Sequence, residues 1–108
     1  MYKIEFYEDK NGKSEIYEYI KKLNNNKSKE NRIKLKKIKA YMEMLSIYGL
    51  NLSEPYIKKI NNEIWELRPL KDRILFASLH NNKFVLLSVF TKKTQKTPKK
   101  EIEKAKKI

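Results

Sequence analysis

The chain has 108 residues, 40% of them hydrophobic and 36% charged, enough for one domain around one modest core. Its 26 lysines and arginines against 13 carboxylates give a formal net charge of +13, a surplus that predicts attraction to nucleic acid or another polyanion and says nothing of fold. The absence of cysteine excludes disulfides and thiolate metal sites. No apolar window approaches the roughly 18 residues of a membrane span, and no signal-peptide layout opens the chain, so a cytoplasmic protein is expected.

Residues 1–7 alternate apolar Tyr2, Ile4 and Phe6 with polar Lys3 and Glu5, the pattern of a first strand. Asn11 and Gly12 break it, and Ser14 is placed to cap a short helix carrying Ile16, Tyr19, Ile20 and Leu23 on one face. A polar break at 24–28 precedes a longer helix over 29–48, with Leu35, Ile38, Met42 and Leu45 as its apolar stripe. Lys34, Lys36, Lys37 and Lys39 line the rest of that helix as a solvated face, and Gly49 is placed to end it in a left-handed cap. Beyond Pro55, extended segments are predicted at 62–68, 73–80 and 83–91, with a possible extra strand at 56–60 and a two-residue turn at Asn81-Asn82. Pro98 opens a last helix, running to 107, with Glu101 and Glu103 near its start and Lys104, Lys106 and Lys107 near its end. The expected fold is α+β in the order β-α-α-β-β-β-α: an antiparallel sheet with two helices on one face and a short C-terminal helix.

Strand parity then sorts the side chains. With a two-residue turn at 81–82 and a four-residue loop at 69–72, Arg73 opposes Phe90 and Glu66 opposes Leu75. One face carries Trp65, Leu67, Ile74, Phe76, Val85, Leu87 and Val89 and should meet the helices. The other carries Glu66, Arg68, Arg73, Ser88, Phe90 and Lys92, with Leu75, Ala77 and Leu86 further along. Lys93, Thr94 and Lys96 follow at the strand end, among Thr91, Gln95 and Thr97. Ammonium, hydroxyl and amide groups of this kind suit a phosphate backbone.

Metal-free RNA cleavage needs a base for the ribose 2′-hydroxyl, in-line geometry, and stabilisation of the phosphorane. Arg68 and Arg73 suit the last task, because a planar guanidinium binds two phosphate oxygens at once. Phe90 offers a stacking surface for a base, or simply ends the core of its strand. The base itself is either Glu66 or a lysine among Lys92, Lys93 and Lys96, because the one histidine, His80, falls at a hairpin tip. The competing use of Glu66, Arg68 and Arg73 is a surface salt-bridge network of little energetic weight. No acidic cluster, HExxH or glycine-rich phosphate loop is present, so no metal or other cofactor is expected.

The segments IWELRP (64–69), DRILF (72–76), FVLL (84–87), FTKKTQKTP (90–98) and EIEKA (101–105) closely resemble the HigB-type, phage-derived branch of the RelE/ParE toxin superfamily. The resemblance runs from the first strand to the last helix and is most specific over 64–105. It implies the toxin of a type II toxin–antitoxin pair, a ribosome-dependent mRNA endonuclease that leaves a 2′,3′-cyclic phosphate. It also implies a helix-turn-helix, HigA-like antitoxin as partner, with operator DNA reached only through that antitoxin. Under it Arg73 matches the strand arginine that contacts the scissile phosphate, Arg68 the ELR position, and Lys92 and Lys93 the basic strand end. Some relatives use a C-terminal tyrosine, and this chain has none after Tyr56. Two other readings stand beside the nuclease: a ParE-like inhibitor of DNA gyrase, and an inactive remnant that keeps antitoxin binding.

Overall fold

The structure, a computed structural model, describes residues 1–93 and 96–108. Strand β1 (Lys3–Phe6) leads into helices α1 (Glu15–Asn25) and α2 (Lys29–Tyr48). A 3-10 turn, Gly49–Asn51, precedes strands β2 (Ile57–Lys59), β3 (Trp65–Leu67), β4 (Asp72–Leu79) and β5 (Lys83–Thr91), and helix α3 (Lys99–Lys106) follows. This is the α+β order read from the sequence, including the short extra strand.

Local chemistry sets the helix limits. Ser14 Oγ accepts a hydrogen bond from the Tyr17 N–H at 3.1 Å and opens α1; Ser28 does the same for α2 through Asn31 at 3.1 Å. Ile16 and Leu23 of α1 and Ile38 and Leu45 of α2 are buried against the sheet, with Leu35 and Met42 beside them. Gly49 ends α2 at φ +58°, ψ −141°, a positive-φ region open to glycine that differs from the left-handed cap expected. A Cβ there would also lie 2.5 Å from the Tyr2 ring, which packs on Phe84 at 5.1 Å between centroids. Gly49→Ala should therefore cost at least about 1 kcal/mol in urea unfolding, and an unchanged midpoint would contradict the packing of Tyr2 on this turn.

The five strands form one sheet in the order β1-β5-β4-β3-β2. It is mixed rather than wholly antiparallel, because β1 runs parallel to β5. Two helices and three strands separate that pair in sequence, ample length for the crossover a parallel pairing needs.

The β4–β5 hairpin departs from the expected turn and then returns to the expected register. Leu79 faces Lys83 and Ser78 faces Phe84, so His80, Asn81 and Asn82 form a three-residue turn, with Asn81 and Asn82 at positive φ. An irregularity between Leu75 and Phe76 then brings Leu75 opposite Ser88 and Phe76 opposite Leu86, leaving Leu87 as the extra residue of a β-bulge. Below the bulge Arg73 faces Phe90, as expected; above it the strand is reversed. Phe84 and Leu86 point into the helix-side core, while Val85 and Leu87, expected there, lie on the opposite face.

That opposite face is covered in part by α3, whose Ala105 packs with Ile64, Leu75 and Leu87. Glu15 helps hold it: Oε2 lies 2.7 Å from Lys104 Nζ, and Oε1 accepts from the Val89 N–H at 3.0 Å. The second bond fills a backbone donor of β5 beyond the end of β1. No helix among the described residues is long and apolar enough to cross a membrane.

Candidate functional site

The face of the sheet near α3 gathers the polar residues. Glu66 leaves β3 toward this side opposite Leu75, and Arg68 follows where the chain leaves the strand, its N–H donating to the Tyr56 carbonyl at 2.9 Å. Arg73 projects from the start of β4 opposite Phe90 of β5. Lys92 and Lys93 lie just past β5, and Lys96, Thr97 and Pro98 return over the cleft on the way to α3. Glu66, Arg68, Arg73, Phe90, Lys92, Lys93 and Lys96, all singled out in the sequence, line one narrow cleft. Thr94 lies outside the described residues. The free volume between these groups is about 10 Å³, room for a single water.

Glu66 is the hub. Only 2% of it is exposed, and its Oε1 lies 3.4 Å from Arg68 Nε and 3.8 Å from Arg73 Nε. Its Oε2 accepts a hydrogen bond from Thr97 Oγ1 at 2.5 Å. Arg68 also lies 3.7 Å from Glu54. The surface ion-pair network considered from the sequence is therefore sunk into the protein, where geometry matters far more. Arg68 Nε is buried without a hydrogen bond; its approach to Glu66 is too long or too bent to count as one.

Arg73 is fixed by the backbone beneath it. Its Nη1 donates to the carbonyls of Leu70 and Asp72, both at 2.8 Å. Burial, then the neighbouring Arg68 guanidinium, lower its pKa from the ordinary arginine value, against the opposing pull of Glu66 and Asp72. A guanidinium still keeps its charge throughout the physiological range.

The support for Arg73 was not legible in sequence. Asp72, 2% exposed, takes the Tyr19 hydroxyl at 3.0 and 2.9 Å and the Thr91 hydroxyl at 3.0 Å. The first residue of β4 is thus tied to both α1 and β5. The Asp-Arg pair and Thr91 were visible, but nothing in the spacing linked them to Tyr19, 53 residues away. Thr97 was visible only as one hydroxyl in a cluster, and its bond to Glu66 depends on the return of the chain from β5 to α3.

Burial and the Asp72 carboxylate push the Tyr19 pKa up to about 12. Unfolded, the phenol ionises near pH 10. Its contribution to stability is therefore complete below pH 10 and is lost as pH climbs through 12. Tyr19→Phe should lower stability by about 1 kcal/mol at neutral pH, and its stability should fall less steeply than the native protein's between pH 10 and 12. Parallel curves in that window, followed by circular dichroism, would remove the Tyr19–Asp72 bond from this account.

Among the described residues no three His, Cys, Asp or Glu side chains stand close enough together to hold a metal ion. The cleft instead offers, among the described residues, cations of two kinds around one carboxylate, a flat aromatic beside them, and the Thr97 hydroxyl. Comparison with curated proteins finds no match. The profile of the phage-derived Gp49-like proteins (DUF891) matches residues 18–108, nearly the whole chain and every residue of the cleft. This chain belongs to that phage-derived Gp49-like family, a family of RelE/HigB-like toxins.

Proposed function

We propose that this protein is the toxin of a type II toxin–antitoxin pair and an endoribonuclease that cuts mRNA on the ribosome in the cytoplasm. The observation that carries the reading is the pair of guanidinium groups converging on the Glu66 carboxylate, with Lys92, Lys93 and Lys96 around the same cleft. Such a place is built for an anion, and family membership supports the toxin half of the proposal.

The chemistry is transesterification. An RNA phosphate lies across the mouth of the cleft, between Arg68 and Arg73, while a neighbouring base stacks on Phe90. The Thr97 hydroxyl now donates to Glu66 Oε2; the ribose 2′-hydroxyl takes its place and gives its proton to that oxygen. The 2′-oxygen then attacks phosphorus, and the bond to the 5′-oxygen breaks. That oxygen leaves with a proton from one of the three lysines, giving a 2′,3′-cyclic phosphate and a 5′-hydroxyl. The arginines act most strongly on the charge that builds up on the phosphorane. A helix-turn-helix antitoxin silences the protein and carries it to operator DNA.

The test is primer extension on messages from cells expressing the protein. Cuts inside translated codons, and none in untranslated stretches, are expected. Intact message together with inhibited gyrase supercoiling would replace the nuclease by the gyrase-directed reading.

A further inference from the structure

On the other side of the turn that holds Arg73 lies a hollow of about 330 Å³ between α2 and residues 70–71. Ile33 and Leu70 face it, 46% and 47% exposed, with Glu30, Lys34 and Lys71 around them. Leu70 is the unusual member. Its φ is +57°, a left-handed conformation that costs a side-chain-bearing residue roughly 1–2 kcal/mol and that glycine or asparagine would adopt more easily. A strained backbone that displays a half-exposed leucine gains nothing for the core of this protein.

The same turn serves the cleft. The Leu70 carbonyl accepts from Arg73 Nη1 at 2.8 Å, and the Lys71 carbonyl accepts from the Lys92 N–H at 2.7 Å. Leu70 and Lys71 thus turn their side chains to the hollow while their carbonyls hold the Arg73 guanidinium and the Lys92 backbone of the proposed phosphate site. Anything that grips the side chains also bears on Arg73 and Lys92, without covering either.

We infer that this hollow is the docking site for an acidic segment of an inhibitory protein partner, which anchors an apolar side chain between Ile33 and Leu70. Charge selects the occupant: Lys71 stands at the rim beside Lys34, which Glu30 meets at 4.0 Å, Arg32, Lys36 and Lys37 are exposed along the same helix, and the whole chain carries +13. Binding there shifts the 69–72 turn and withdraws Arg73 and Lys92 from their places. The inference rests on the proposed toxin–inhibitor pairing and assigns its interface and its mode of action.

Titration calorimetry with the purified product of the adjacent reading frame tests it on the full-length chain. Leu70→Asn keeps a residue that tolerates positive φ, so its melting temperature should equal or exceed the native value. Its affinity for the partner should fall at least about tenfold, or about 1.4 kcal/mol, and Ile33→Ser should weaken binding to a similar extent. Native affinity in both variants overturns the docking site and leaves the nuclease reading intact. Binding that ignores Leu70→Asn yet falls on removing Lys34 and Lys71 also overturns it, in favour of a purely polyanionic ligand such as RNA. An adjacent product that binds neither native nor variant protein sinks the inference together with the pairing, while codon-internal cleavage still judges the nuclease separately.

Discussion

Arg73→Ala should abolish most of the proposed message cleavage: cuts within translated codons should fall by at least about 100-fold, the usual cost of one well-oriented transition-state donor. Arg73 Nη1 is committed to two carbonyls at 2.8 Å and its Nε faces Glu66 at 3.8 Å, so the fork is set before any substrate arrives. Arg73→Lys should restore little, because a single ammonium cannot span two carbonyls and still meet a phosphate oxygen. Both variants lose some stability, since the Leu70 and Asp72 carbonyls forfeit their donor, about 1–3 kcal/mol for the pair. Cleavage is therefore compared per folded molecule, with the melting temperature measured alongside. Undiminished cutting by Arg73→Ala would remove the arginine pair from the chemistry and leave the lysines to explain it alone.

Glu66→Gln carries the second large effect, and it acts on stability and on ligand response together. The native carboxylate neutralises two guanidinium groups, one of them only 8% exposed. Taking its charge away while keeping its shape should cost about 3–5 kcal/mol, the penalty for breaking a buried ion pair on one side, a large part of the roughly 5–15 kcal/mol that holds a domain together. The two guanidinium groups, no longer neutralised, then suit an external anion at the cleft mouth. Inorganic phosphate should raise the melting temperature of the variant well beyond its effect on the native protein, approaching about 2.7 kcal/mol at a hundredfold excess over its dissociation constant. Cleavage should drop by a further factor of about 100 or more, since the proposed proton acceptor is gone. An equal phosphate response in the two proteins would mean that the Glu66 charge does not bear on a phosphate held by the arginine pair, and the proton route through Oε2 would have to be redrawn.

These expectations rest on features of unequal visibility in the chain. Apolar spacing, a serine ahead of the first helix, a polar break ahead of the second and the Asn-Asn turn all act within a few residues, and they placed seven elements and the short strand at 57–59 within a few positions. The convergence of Glu66, Arg68, Arg73, Phe90 and Lys92 also followed from parity alone, though by a path that differed from the real one. The turn at 80–82 is one residue longer than expected, and the bulge at Leu87 cancels the shift before the strand reaches Arg73. Only the upper half of the hairpin was misassigned as a result, with Val85 and Leu87 exchanged for Phe84 and Leu86.

The sequence by itself determined the α+β class, the basic character of the chain and the identity of the charged groups that meet at one strand end. Those properties come from periodicity, composition and short-range sterics, which act between near neighbours. Tertiary structure alone decided that Glu66 is buried between two arginines, that Thr97 folds back onto it, that Tyr19 secures Asp72, and that Leu70 holds a strained turn between an apolar hollow and the cleft. Each of these depends on segments dozens of residues apart arriving at one place, or on a backbone conformation imposed by its surroundings, and no local pattern encodes either.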